Sequence, residues 1–137
     1  MSPPDPTLPA IPLFQAMGLV ALGGALGSAL RYLSLEGARH VFGGGFPVGT
    51  VVVNIAGSCA LGLLMGVIAM RTEPSHAWRL FVGVGLLSGF TTFSAFSLDA
   101  ITLIERGSLA PAGLYMVGSV LLSALALFAG LALGRAL

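Results

Sequence analysis

The sequence predicts an all-α integral membrane protein with four transmembrane helices. Apolar residues make up 56% of its 137 residues and charged residues only 8%, whereas about 25% of the residues in a soluble domain are charged. A chain of this composition cannot cover a water-facing surface. Its apolar residues form four runs, each close to the roughly 20 residues that span a bilayer as a helix, at positions 13–33, 48–70, 78–104 and 112–133.

The first run follows a segment, residues 1–11, that contains four prolines and no basic residue. We expect this segment to be a disordered lead-in to a single four-helix transmembrane domain at residues 12–137. The run closes at Arg31 and Tyr32, two residue types that favour the membrane interface. Arg31 is therefore predicted to anchor the helix at the interface.

The second and fourth runs each carry polar side chains at helical spacing. Asn54 lies near the centre of the second run, with Thr50 one turn before it. An amide in lipid is costly unless it has a partner, so Asn54 is the strongest single indication of a functional site. Tyr115, Ser119 and Ser123 follow one another at four-residue intervals in the fourth run, which places them on one helix face.

The third run is predicted to break between Ser88 and Thr92. Residues 85–97 hold two glycines, three serines and two threonines within an otherwise apolar segment. In hydrocarbon, a loosened backbone is tolerated only where protein or a water-filled cavity covers it, and the broken helices of transporters hold ions or substrates. The interruption therefore predicts an ion or substrate site.

The polar side chains of these runs are neutral hydrogen-bond donors, which suits an anion better than a cation. Phe93 and Phe96 share a helix face, and the positive edges of phenyl rings can also face an anion. A serine or threonine taken alone more often bonds a carbonyl of its own helix, and the carbonyls of a break can hold a cation. The combination favours an anion path whose candidate residues are Thr50, Asn54, Thr92, Phe93, Ser94, Phe96, Tyr115, Ser119 and Ser123.

The few charged residues bear on topology and partners. The six basic residues are arginines, which divide three against three between the two sides of a four-span chain, so the positive-inside rule gives almost no bias. Such a chain can insert both ways, and we expect an antiparallel, dual-topology homodimer. The arginines are scattered, which argues against a nucleic-acid partner. Asp99, near the end of the third run, is either a residue of the pore mouth or simply a residue of the wet membrane interface.

Three motifs resemble the Fluc (CrcB) family of fluoride channels. They are GGALGSALRY at 23–32, GTVVVNIAG at 49–57 and GFTTFSAFS at 89–97. The resemblance runs in order over nearly the whole chain, and the third motif together with Asn54 is highly specific. It implies a bacterial-type plasma-membrane channel that exports cytoplasmic fluoride passively and so lowers fluoride toxicity. It also implies an antiparallel dimer with two pores.

The resemblance implies roles for individual residues. A single structural sodium ion, which is not transported, would lie on the dimer axis and bind the backbone carbonyls of Ser88 and Thr91. This chain departs from the family pattern where Ser88 replaces a usual glycine, Ala95 a common threonine and Asp99 a frequent glutamate. The positions that line the fluoride path in the family correspond here to Asn54, Phe93, Phe96, Tyr115, Ser119 and Ser123.

Three other functions fit parts of the pattern. A small dual-topology multidrug transporter would need an intramembrane carboxylate to exchange protons for drug, and the first run has none. A non-transporting assembly subunit would explain the pairs of small residues four positions apart, which let membrane helices pack closely. It would not explain the polar side chains that three of the runs carry. A membrane enzyme would need a nucleophile–base pair or metal ligands inside the spans. The runs show neither, and an enzyme is not expected.

Overall fold

The computed structural model describes residues 11–71 and 76–137, and the regular secondary structure of these residues is entirely helical. Four helices are long and apolar enough to cross a membrane: Leu13–Phe42, Val48–Ala69, His76–Glu105 and Leu109–Ala136. The four predicted spans are therefore confirmed. The predicted lead-in at residues 1–11 lies outside the described residues, apart from Ile11.

The first and last helices are longer than predicted. Helix α1, Leu13–Phe42, continues nine residues past the predicted end of its run, because its first strong breaker is Gly43, where φ turns to +73°. Arg39 and Glu36 support this extension with an ion pair of 2.9 Å on the helix surface. The last helix, Leu109–Ala136, includes Pro111, which is tolerated in a first turn because its missing N–H has no partner there.

The third span consists of two helical parts. Helix α3, residues 76–90, has π-helical hydrogen bonding over Arg79–Leu87, which the sequence did not predict. Thr91 and Thr92 then adopt extended angles (ψ 159° and 127°), and helix α4 runs over Phe93–Glu105. The Thr92 side chain accepts a hydrogen bond from the Ala95 N–H at 3.2 Å, so threonine acts as the N-cap that starts α4.

Close contacts at glycine arrange the four spans. Helix α1 packs on α3, and helix α2, Val48–Ala69, packs on the last helix, which we label α5. A Cβ at Gly27 would overlap the Leu86 carbonyl of α3, and a Cβ at Gly62 would overlap the Leu127 carbonyl of α5. Both glycines belong to the pairs of small residues seen in the sequence, and here they bring helix backbones into contact.

Candidate functional site

The side chain of Asn54 connects α2 to the extended residues of the third span. Its Nδ2 donates to the Thr92 carbonyl at 3.0 Å, and its Oδ1 accepts from the Thr92 N–H at 2.8 Å. Both backbone groups of Thr92 are thus partnered by one amide, and the Thr92 residue is only 8% exposed. The second hydrogen of the Asn54 Nδ2 is left over from this pair of bonds, since an amide nitrogen carries two donors.

Arg31 reaches the same place from α1. Its Nη1 donates to the Thr91 carbonyl at 3.2 Å, and the side chain is half-buried. The Thr91 hydroxyl donates to the Leu87 carbonyl at 3.2 Å, which closes the last turn of α3. The sequence predicted Arg31 as an interface anchor and gave no sign of this contact, because the two residues are 60 positions apart.

A cavity of about 490 Å³ lies beside the Thr91–Thr92 segment. We call it the polar cavity. Its wall includes Asn54 and Thr92 from the cluster just described, and the two serines of α5. The hydroxyl oxygens of Ser119 and Ser123 are buried and have no hydrogen-bond partner among residues 11–71 and 76–137. The lining residues also include Ser58, Leu61, Ser88, Thr91, Phe93, Phe96 and Val120, and the whole set is uncharged.

Aromatic rings form a row that leads away from the polar cavity. The Phe93 and Phe96 ring centroids are 5.4 Å apart, and those of Phe96 and Tyr115 are 5.2 Å apart. The edge-to-face pair of Tyr115 and Phe46 continues the row at 5.8 Å and 88°. Phe93 at one end is 76% exposed and Phe46 at the other end is 39% exposed, whereas Phe96 between them is only 9% exposed, so the row is buried in its middle and open at both ends.

Asp99 lies beside the buried Tyr115 of this row. Its Oδ2 accepts a hydrogen bond from the Thr50 hydroxyl at 2.7 Å and another from the Tyr115 hydroxyl at 3.2 Å. Thr50 and Tyr115 are 4% and 1% exposed. The carboxylate therefore joins α2, α4 and α5, and it uses two of the hydroxyls that the sequence suggested for an anion path.

The structure thus divides the candidate residues into two groups. The polar cavity brings together Asn54, Thr92, Phe93, Phe96, Ser119 and Ser123. Thr50 and Tyr115 lie with Asp99 instead. Ser94 is exposed and contacts the Thr92 hydroxyl at 3.3 Å. Phe46 was not predicted, because it lies in the connection after three glycines, where no helical spacing relates it to the other rings.

Backbone carbonyls beside the polar cavity are suited to a cation. In a continuous helix the Ser88 carbonyl would accept from the Thr92 N–H, but that N–H donates to Asn54. The Thr91 carbonyl accepts one hydrogen bond, from Arg31, and a carbonyl oxygen has two lone pairs. The oxygens of Ser88 and Thr91 therefore retain capacity for a hard cation such as sodium.

Comparison with known proteins places the chain among membrane channels. The sequence profile of the CrcB-like proteins, described as Camphor Resistance (CrcB), matches residues 18–131. A protein of Agrobacterium fabrum named fluoride-specific ion channel FluC is 50% identical over 119 residues, which cover 87% of this chain and 95% of that protein. Proteins of the same name from Methylobacterium nodulans and Rhizobium etli are 54% and 48% identical, over 74% and 91% of this chain and 82% and 99% of their own lengths.

These similarities bear directly on the class of protein. The relatives are bacterial and are named as ion channels, in agreement with the prediction that the chain is not an enzyme. Together with four membrane-crossing helices, they make this a multi-pass protein of the plasma membrane. The profile match and the identity over most of both sequences show that the chain belongs to the CrcB-like protein family.

Proposed function

We propose that the protein is a fluoride-specific ion channel, which exports cytoplasmic fluoride passively and so limits its toxicity. The observation that carries the proposal is the polar cavity, where the described part of the chain contributes no charged side chain to the wall and no hydrogen-bond partner for the hydroxyls of Ser119 and Ser123. A buried hydroxyl without a partner is costly, and that cost disappears when it donates to an anion or to a water molecule.

The chemistry of the wall favours a small anion. The two serine hydroxyls and the remaining amide hydrogen of Asn54 can each donate to fluoride, and together they replace part of its hydration shell. The edges of Phe93 and Phe96 offer a weaker positive field. Since none of the described residues that line the polar cavity is an arginine or a lysine, no opposite charge in this wall traps the ion. Conduction needs this balance between binding and release.

We also propose a structural sodium ion, held by the carbonyls of Ser88 and Thr91 where the third helix breaks. The spare lone pairs on both oxygens support this assignment. Sodium binding there would fix the backbone around Thr91 and add positive potential beside the anion path. The serine hydroxyl at position 88 donates to the Gly83 carbonyl at 3.1 Å, so the side chain is occupied elsewhere and leaves the role to the backbone.

The channel is proposed to be an antiparallel, dual-topology homodimer with two pores. The balanced arginines support insertion in both orientations. Phe93 lines the polar cavity and is 76% exposed. This exposure supports a partner subunit that covers this side of the polar cavity. A second copy would close the polar cavity into a dehydrated path and bring two sets of Ser88 and Thr91 carbonyls together.

Fluoride efflux from liposomes tests the proposal. Purified protein is reconstituted into vesicles loaded with potassium fluoride, and a fluoride electrode records release after a potassium ionophore is added. We expect rapid release that does not respond to a proton gradient, which distinguishes a channel from a proton-coupled transporter. Release no faster than from protein-free vesicles would contradict the proposal.

Variants of the two phenylalanines locate the path. Phe93→Ile and Phe96→Ile should each lower the rate about tenfold or more while the dimer still assembles, since the ring edges are lost but apolar volume is largely kept. Phe128→Ile is the matched control, because Phe128 is 69% exposed on α5 and does not line the polar cavity. Normal release by both test variants would place the path elsewhere.

A further inference from the structure

A second cavity, of about 320 Å³, lies at the opposite end of the aromatic row from Phe93. We call it the loop cavity, because the connection between α1 and α2 forms part of its wall. Phe46, the last ring of the row, and Thr50 and Asp99 also line it. The aromatic row and the Asp99 hydrogen bonds therefore connect the polar cavity to this second opening.

Charged side chains line the loop cavity, in contrast to the polar cavity. Asp99 contributes a carboxylate, and Arg39 and Arg106 contribute guanidinium groups. Arg39 is paired with Glu36 at 2.9 Å, so its charge is largely compensated. Arg106 follows the last residue of α4 and is exposed, and no acidic group in the described parts of the chain forms an ion pair with it.

The charge of Asp99 is a problem for an anion that passes this way. The two hydrogen bonds from Thr50 and Tyr115 disperse the charge, but a carboxylate still repels fluoride. A sphere of 320 Å³ is about 8.5 Å across, which is shorter than the roughly 10 Å screening distance at 0.1 M salt. A cation on the wall of the loop cavity therefore acts on the same ion as Asp99 does.

We infer that the loop cavity is a mouth of the anion path and that Arg106 offsets the charge of Asp99 there. The inference rests on the proposed fluoride channel function. Arg106 does not bind fluoride within the path but raises the local concentration of anions at the opening, in the way that charged clefts steer small ions. Because the offset is electrostatic, it weakens when salt screens the two charges.

A double-mutant cycle of the two charged residues tests this inference in reconstituted vesicles. Fluoride release is compared for the wild type, Arg106→Gln, Asp99→Asn and the double variant, at low ionic strength. Arg106→Gln should lower the rate roughly twofold to fivefold. The double variant should recover most of the loss, because asparagine at position 99 keeps the oxygen that accepts from Thr50 and Tyr115 but removes the negative charge. Arg106→Lys should behave as the wild type.

Ionic strength and a matched arginine separate charge from structure. Arg135→Gln removes the same charge at the end of α5, outside the loop cavity, and should leave the rate unchanged. In 1 M of a large, impermeant salt, screening extends only about 3 Å, and the deficit of Arg106→Gln should largely vanish. A loss that persists in high salt, or that Asp99→Asn fails to rescue, would overturn the charge offset.

A cysteine variant keeps the inference testable if Arg106→Gln does not fold. In a Cys59→Ala background, Arg106→Cys is treated with a thiol reagent that carries a trimethylammonium group or one that carries a sulfonate. The cationic reagent should raise fluoride release and the anionic reagent should lower it. Equal effects of the two reagents, or equal rates for Arg106→Gln and Arg135→Gln, would overturn the inference but leave the proposed function standing. Absence of fluoride release from the wild type would overturn both.

Discussion

Two polar regions that line the polar cavity are built in opposite ways. Around Thr91 and Thr92, backbone groups that a continuous helix would satisfy are bound instead by Asn54 and Arg31. Along α5, the hydroxyls of Ser119 and Ser123 are buried without partners among the described residues. The first region uses polar side chains to hold a shape, and the second leaves its donors available. The contrast separates residues that hold the shape of the site from residues whose free hydrogen-bond donors can bind an anion.

The polar groups of the two regions contribute to the stability of the folded protein with opposite signs. A backbone group that loses its partner inside the protein costs about 1–3 kcal/mol, so the bonds of Asn54 and Arg31 stabilise the interrupted span. An unpartnered hydroxyl already carries such a cost in the ion-free protein, and donation to a ligand removes it. Mutations in the first region should therefore lower stability and flux together, whereas mutations in the second should lower flux alone.

The largest loss of stability and fluoride flux is expected where α1 packs on α3 and supports the first region. A side chain at Gly27 would overlap the Leu86 carbonyl, so Gly27→Val should force α1 away from α3 and withdraw Arg31 from Thr91. We expect little or no monodisperse protein by size-exclusion chromatography in detergent. Gly18→Val is the control, since the space around Gly18 is open within 4 Å. Normal yield of Gly27→Val would show that the interrupted span does not depend on this contact.

Changes at Asn54 are expected to have the second-largest effect on stability and fluoride release. Asn54→Leu removes both hydrogen bonds to Thr92 and should lower the free energy of unfolding by about 1–3 kcal/mol and fluoride release by tenfold or more. Asn54→Asp keeps the acceptor for the Thr92 N–H but loses the donor to the Thr92 carbonyl and adds a partly buried negative charge, so it should slow fluoride and also lower thermal stability. Unchanged fluoride rates in both variants would place Asn54 outside the path.

Variants of Ser119 and Ser123 sharpen the comparison between the two regions. Ser119→Ala combined with Ser123→Ala should lower fluoride release several-fold and leave the melting temperature unchanged or slightly higher, because neither hydroxyl has a partner to lose within residues 11–71 and 76–137. Ser34→Ala is the control, as its hydroxyl bonds the Leu30 carbonyl on an exposed face. A marked loss of thermal stability with normal flux would mean that these serines hold the structure, as Asn54 does.

The smallest effect is expected at Tyr115. Tyr115→Phe removes one of the two hydrogen bonds to Asp99 but keeps the ring in the aromatic row, while Thr50 still donates at 2.7 Å. We expect a loss of about 1 kcal/mol in unfolding free energy and less than about a twofold change in fluoride release. Tyr32→Phe, at a residue that is 64% exposed, should change neither. A tenfold change in flux would give the Tyr115 hydroxyl a direct role in conduction.

The sequence was informative where chemistry is local. Hydropathy located the four spans, and the serines and threonines of the third run included Thr91 and Thr92, whose backbone is extended. The sequence was less informative where chemistry depends on distant contacts. The Arg31 bond to Thr91 and the Thr50 bond to Asp99 join residues 60 and 49 positions apart. A helical stripe on α5 could not show that Tyr115 faces a carboxylate whereas Ser119, one turn later, faces a cavity.

The most direct test of the account is the anion selectivity of the purified protein in a planar bilayer, with fluoride on one side and chloride on the other. A path lined by small neutral donors should conduct fluoride alone, because larger halides fit it poorly. The current should therefore reverse only far from zero, on the side set by the fluoride gradient. Reversal near zero in equal fluoride and chloride, or no current at all, would contradict the claim that the polar cavity is a dehydrating path for fluoride.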